Sequence, residues 1–244
     1  MCTLILAWQV FDGTPIAAAA NRDEATDRPS RPPGVLDRDP TVVAPQDDEA
    51  GGTWIGYNDA GVFVGVTNRR TDIEGERSRG LLVRDALAQS SAAEAASFVR
   101  NELADREYAG FNLVIADADE AGLLEWDGVL RTTHFNPGVH VVVNEGYNGA
   151  AAKAARIQQS ARAMPEMTAE EWLDRAVGVL RDHDVGACVH GDGYGTRSSS
   201  LVAIDAADDG RYWFADGKPC ETDYAVVSAD ESAQSDADDA DGQF

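Results

Sequence analysis

Lysine is almost missing from this chain. Of 244 residues only Lys153 and Lys218 are lysines, and all basic side chains number 20 against 43 acidic ones, for a net charge of −23. A chain so short of positive charge is not built to grip a phosphate backbone or an anionic bilayer, so nucleic-acid binding falls away as an expected function. Long apolar runs are lacking too. No segment approaches the ~20 residues of a membrane-spanning helix, so no membrane insertion is expected. The N-terminal apolar stretch breaks at Asp12-Gly13 and has no basic segment before it, unlike a signal peptide. Cysteine is scarce: Cys2, Cys188 and Cys220 cannot all pair, and no CxxC occurs. His134, His140, His183 and His190 show no metal-ligand spacing. These absences lead us to expect a reduced, cytoplasmic protein with no metal and no cofactor.

What is abundant is acid, and it is spread through turns and helix faces rather than gathered in one block. That is the pattern of a salt-adapted surface. Residues 1–228 read as one domain, because no Pro/Ser/Gly linker interrupts the apolar pattern. Residues 229–244 are acidic and poor in apolar side chains, so a disordered tail is expected there.

Strands are expected over 2–10 and 16–21, joined by the turn Asp12-Gly13-Thr14-Pro15. The Pro/Arg/Asp-rich stretch 25–50 reads as loop, followed by a hairpin over 53–57 and 62–68. Helices are expected over 79–89 and 91–105, the second opened by a capping box of Ser91 and Glu94. A four-stranded meander over 111–116, 123–127, 129–135 and 139–144 follows. Then come a helix over 150–163, a helix opened at Thr168 by a capping box with Glu171, and strands over 197–205, 211–215 and 224–228. Strands in antiparallel blocks alternating with helix pairs predict an α+β fold, a four-layer αββα sandwich of two antiparallel sheets.

The chemistry gathers at strand ends. Cys2 follows the initiator methionine, and removal of Met1 would place a thiol and a free α-amine on one residue, a nucleophile with its own base. Asn21-Arg22-Asp23-Glu24 ends the strand expected to pair with that of Cys2. A guanidinium there would lower the thiol pKa, and a carboxylate there could hold the α-ammonium. Asn68 and Asn144 end two further strands, where a side-chain amide can donate to an oxyanion. A Gly-rich loop, Gly191-Asp192-Gly193-Tyr194-Gly195-Thr196, delivers Arg197 to the start of a strand and lacks the order of a phosphate loop.

Together, Met1-Cys2-Thr3-Leu4, Asn21-Arg22-Asp23-Glu24 with Arg28-Pro29, Gly51-Gly52-Thr53-Trp54, Val66-Thr67-Asn68, Ser78-Arg79-Gly80, Gly110-Phe111-Asn112-Leu113 and Gly193-Tyr194-Gly195-Thr196-Arg197 resemble the NRDE family, that of transport and Golgi organization protein 2. That family is similar to N-terminal-nucleophile (Ntn) hydrolases of the penicillin V acylase and bile salt hydrolase type. The resemblance implies an amidohydrolase acting on a non-peptide C–N bond of a small amide or acyl substrate. Its catalytic set would be Cys2, Arg22, Asp23, Asn68, Asn144 and Arg197. In the hydrolases two residues separate the Arg from the Asp, whereas Arg22 and Asp23 are adjacent, so Asn21 or Glu24 can take one of those roles. Trp54 and Tyr57 are expected on an apolar cleft for the acyl group, with Arg69, Tyr194 and Thr196 as further binding residues. The alternative the family implies is a non-catalytic carrier with haem or an acyl lipid as cargo.

Overall fold

The computed structural model describes residues 2–227. Met1, residue 228 and the expected tail over 229–244 lie outside the described residues. The chain opens with strands β1 (Thr3–Phe11), β2 (Thr14–Ala25), β3 (Ser30–Arg38), β4 (Thr41–Asp47), β5 (Ile55–Asn58) and β6 (Phe63–Asn68). Helices α1 (Arg79–Leu87) and α2 (Ala92–Asp105) follow. Next come β7 (Phe111–Ala116), β8 (Ala121–Trp126), β9 (Leu130–His134), β10 (Gly138–Val143) and β11 (Gly146–Tyr147). A single 3-10 turn leads into α3 (Ala152–Ser160) and α4 (Ala169–Leu180), and β12 (Tyr194–Ile204), β13 (Gly210–Ala215) and β14 (Ala225–Val226) complete the order.

Two seven-stranded antiparallel sheets result, ordered β11-β10-β1-β2-β12-β13-β14 and β3-β4-β5-β6-β7-β8-β9. Alternation along β1 shows why they stack. Leu4, Leu6 and Trp8 pack with Val114, Leu123 and Phe63 of the second sheet, while Ile5 and Ala7 pack with Trp172 and Leu180 of α4. A strand covered on both faces needs a nearly unbroken apolar run, and TLILAW supplies it. A third cluster joins the second sheet to Leu82, Val83, Ala95 and Val99 of α1 and α2. The order of layers is therefore helix, sheet, sheet, helix, as the sequence predicts. Gly65 lets the sheets approach, because a Cβ there would collide with Leu4. No helix among the described residues is long and apolar enough to cross a membrane.

Three expectations need correction. The stretch 25–50 is not loop but the edge hairpin β3–β4. Its Pro32 and Pro33 fall where the register shifts between Arg31 and Gly34 on an edge strand, the place where missing N–H donors are tolerated. The meander has three strands rather than four: β10 leaves the second sheet at Asn136-Pro137 and pairs with β1 in the first. The capping box at Ser91 is half formed. Ser91 accepts from Glu94 N–H, but the Glu94 carboxylate accepts from the backbone of Ser90. Thr168 and Glu171 form the complete reciprocal box at α4.

Candidate active site

The site lies at one end of β1. Thr3 pairs with Asn21 of β2 on one side and with Val143 of β10 on the other. One residue outward on all three strands stand Cys2, Arg22 and Asn144, and Ser198 of β12 pairs across from Arg22. Paired residues share a face of a sheet. By alternation Cys2, Arg22 and Ser198 take the face of Leu4 and Ala20, toward the second sheet. The strand β2 runs on to Ala25 because β12 pairs with it as far as Tyr194, so Asn21-Arg22-Asp23-Glu24 lies within a strand rather than beyond its end.

Arg22 is 6% exposed. It reaches across to the second sheet, with Nη2 3.1 Å from Asp47 Oδ2 and its guanidinium 4.1 Å from the Trp54 ring centroid. Arg28 completes a bidentate clamp on Asp47, with Nε to Oδ2 at 2.6 Å and Nη2 to Oδ1 at 2.9 Å. Burial alone would raise the Asp47 pKa, but these hydrogen bonds and the Ala50 N–H hold it below the usual carboxylate range. Arg22 is thus committed to Asp47 and Trp54, and the expected lowering of the Cys2 pKa does not follow. Burial, and then the Asp23 carboxylate, push the Cys2 thiol above its ordinary value. The thiol donates to the Asp23 carbonyl at 3.8 Å.

Asp23 is buried. Its Oδ1 accepts from Thr196 Oγ1 at 2.6 Å and its carbonyl from Tyr194 OH at 2.9 Å. Burial pushes the carboxyl pKa upward, with the Thr196 hydrogen bond and Lys153 opposing. Asn21 serves the scaffold: its Nδ2 donates to the carbonyls of Leu180 and Ala187 at 2.9 and 2.8 Å, tying β2 to the end of α4 and the loop after it. Glu24 accepts from its neighbour Ala25 N–H and stands 4.0 Å from Arg22 Nη2.

Asn144 sits in the two-residue turn between β10 and β11, buried, with Oδ1 lacking a partner. Its carbonyl, with that of Val143, accepts from Asn112 Nδ2. Asn68 ends β6 and lines a cleft of about 400 Å³ together with Arg22, Glu24, Arg28, Trp54 and Arg79. That cleft is rich in charged side chains, not apolar as expected.

Tyr57 lies elsewhere. It is buried between the sheets, donates to Gly210 O at 2.8 Å and stacks on Tyr212. Arg69 is taken up by Asn112, Glu125 and Asp127. Arg197 stands at the bulge of β12, with Nη1 3.4 Å from Asp216 and its Nε buried without a hydrogen-bond partner.

Sequence reasoning gave no role to Asp47, Asn112, Arg79 or Lys153. Burial lowers the Arg79 pKa, with Cys2 and Glu24 opposing. Lys153 of α3 buries its Nζ without a partner. Its pKa is lowered by burial, while Asp23, Glu145 and Cys2 pull it upward. A signal for it did exist, since it is one of two lysines in a chain that otherwise uses arginine. Around Cys2 the buried side-chain atoms without a hydrogen-bond partner include Thr3 Oγ1, Arg22 Nη1, Asn144 Oδ1, Lys153 Nζ and Ser198 Oγ. Buried polar groups are normally satisfied, so a concentration of unsatisfied ones at one strand end sets this region apart.

The fold defines the class, an Ntn-hydrolase-like αββα sandwich, here with a cysteine just before its strand β1. Solved structures of this fold include penicillin V acylase from Agrobacterium tumefaciens, with TM-score 0.63 and 16% identity over 88% of this chain and 83% of that one. The Caenorhabditis elegans orthologue of N-acylethanolamine-hydrolyzing acid amidase has TM-score 0.58 and 14% identity over 93% and 100%. A mutant of the conjugated bile acid hydrolase from Clostridium perfringens has TM-score 0.53 and 12% identity over 93% and 97%. The chain itself belongs to the Transport and Golgi organisation 2 family, whose model matches residues 1–215. No curated protein matches it in sequence.

Proposed function

We propose that this protein is an Ntn-type cysteine amidohydrolase acting on non-peptide C–N amide bonds, with Cys2 as the nucleophile once Met1 is removed. The observation that carries this reading is the placement of Cys2 between Arg22 and Asn144 at a strand end crowded with unpartnered buried polar groups. In the proposed reaction the α-amine of Cys2 takes the thiol proton and the sulfur attacks the amide carbon. Asn144 and Asn68 donate to the oxyanion. The C–N bond then breaks, and the leaving amine takes the proton. Water attacks the thioester, giving the carboxylic acid and the free thiol. Asp23 and Lys153 set the charge balance around the α-amine. The arginine-lined cleft suits an amide whose acyl part carries a polar or anionic group better than a long alkyl chain.

The test pairs hydrolysis of an acyl-amide panel with calorimetric ligand binding. Cys2→Ala should abolish turnover and leave binding nearly intact, since the thiol acts in the transition state. Asn144→Ala should lower kcat by about two to three orders of magnitude with little change in affinity. Intact mass should show the chain beginning at Cys2, and an acyl adduct on it during turnover. A Met1-retaining chain that turns over amides, or turnover by Cys2→Ala, would overturn the mechanism. Tight binding of haem or an acyl lipid with no turnover on any amide would favour a carrier instead.

A further inference from the structure

Away from Cys2, the loop between α4 and β12 and the turn after β13 bring two cysteines and two histidines together. His183 stands in the loop after α4, Cys188 and His190 precede β12, and Cys220 lies in the turn after β13. One ligand atom from each of the four falls within 4.8 Å of all the others. Cys188 Sγ is 3.5 Å from Cys220 Sγ and 3.6 Å from His190 Nε2, and His190 Nε2 is 3.2 Å from Cys220 Sγ. Tetrahedral zinc with Zn–S near 2.3 Å and Zn–N near 2.0 Å requires ligand–ligand edges of roughly 3.3–3.8 Å. The three edges among Cys188, His190 and Cys220 fall in or close to that range, and His183 lies within 4.8 Å of them. The sulfur–sulfur separation is far from the ~2.05 Å of a disulfide, and both cysteines are free.

The other nitrogens of the two imidazoles provide an independent sign. His183 Nδ1 is 3.1 Å from the Cys188 carbonyl, which can only accept, so Nδ1 carries the proton and Nε2 keeps its lone pair. His190 Nδ1 is 3.7 Å from Glu221 Oε1, which leaves Nε2 directed at the sulfurs. A carbonyl or carboxylate behind each imidazole is what orients histidine ligands on a metal. Cys188 is 3% exposed, whereas His183 and His190 are exposed, so an ion would have a path in from solvent.

We propose that His183, Cys188, His190 and Cys220 form a structural zinc site. Two thiolates and two imidazoles suit zinc rather than magnesium or calcium. Four protein ligands leave no open position for a substrate, so the ion would act as a staple. Binding of one Zn²⁺ releases the two thiol protons to solvent and changes no oxidation state. The staple would fix the loop before β12 to the turn at Lys218–Glu221. That loop carries Val189, whose N–H donates to Thr196 Oγ1 at 2.9 Å, and Thr196 in turn donates to Asp23. A cluster whose last ligand, Cys220, lies 30 residues beyond His190 would thus steady a residue beside Cys2. The spacing His183, Cys188, His190, Cys220 matches no compact finger pattern, which is why reading the sequence led to the expectation of no metal.

The test uses the whole chain, free of any affinity tag, purified with a thiol reductant. Elemental analysis should find about one zinc ion per chain, and stripping with a chelator should lower the melting temperature by about 5 °C or more, restored by zinc chloride. Cobalt chloride added to the stripped protein should give the thiolate-to-cobalt absorption and visible bands of a tetrahedral S2N2 site. Cys220→Ser, at a half-buried position, and His190→Ala should reduce bound zinc to about a tenth or less. Binding by the wild-type stripped chain is measured on its own, so a variant that fails to fold does not shelter the idea. No zinc or cobalt taken up by the wild type, a Cys188–Cys220 disulfide in the reduced preparation, or full zinc retention in both variants would overturn it.

Discussion

Asp23 carries its carboxyl group inside the fold. It is 1% exposed, and burial pushes its pKa up even though Thr196 and Lys153 pull the other way. For a carboxyl raised in the folded state, the protonated form is the one the fold favours. Its contribution to stability is greatest below the ordinary carboxylate pKa and is lost as pH rises through the folded value. Each tenfold change in the proton equilibrium corresponds to about 1.4 kcal/mol at neutral pH. Asp23→Asn keeps an acceptor for Thr196 and removes that penalty. Its melting temperature at pH 7 should exceed that of the wild type, with the gain fading as pH falls below about 4. A lower melting temperature at pH 7, measured by calorimetry, would contradict this. The same variant should lose activity, because the charge beside the Cys2 amine is gone.

Between elements, close approach is set by single residues. Gly210 opens β13 under the ring of Tyr57, where any Cβ would overlap the aromatic carbons, and Tyr57 donates its hydroxyl to the Gly210 carbonyl. Burial, with Asp209 adding to it, pushes the phenol up to about 12, so it remains a donor throughout the physiological range. Tyr57→Phe should therefore cost about 1 kcal/mol of stability and leave hydrolysis unchanged, as read by denaturant melts and kinetics. A fall in kcat/KM with that variant would return Tyr57 to the substrate cleft. Gly210→Ala should be more damaging than Tyr57→Phe in the same melts. The strands over 3–8 and 111–116 were legible in the sequence as nearly unbroken apolar runs, because both faces of each are buried. The edge hairpin β3–β4 was not, because its prolines and charged residues tolerate solvent on one side and so look like loop.

At the scale of the whole molecule, 43 acidic against 20 basic side chains leave a net charge of −23 on a compact body. Like charges repel more in the folded state than in the expanded chain, and salt screens them, the Debye length falling to about 3 Å at 1 M. The melting temperature should climb between low and molar KCl. A flat response would overturn this reading, because ion pairs such as Arg31 with Asp48 and Arg211 with Glu170 can neutralise at most 20 of the 43 acidic side chains.

What the sequence determined by itself is local and periodic: the β1 strand with Cys2 before it, the turn at Asp12-Gly13, the capping box at Thr168 and the alternation of sheet and helix blocks that makes a four-layer sandwich. Each depends on neighbours a few residues apart. The strand ladder alone decided that Cys2, Arg22 and Asn144 share one level, because Asn144 stands more than a hundred residues from the other two and meets them only through the register of β10 on β1. Tertiary packing likewise decided that Arg22 turns to Asp47 and Trp54 instead of to the thiol, that Lys153 is buried beside Asp23, and that Cys220 meets Cys188. Side-chain charge is written in the sequence, but the partner that satisfies it is chosen by distance, and distance exists only once the two sheets have closed on one another.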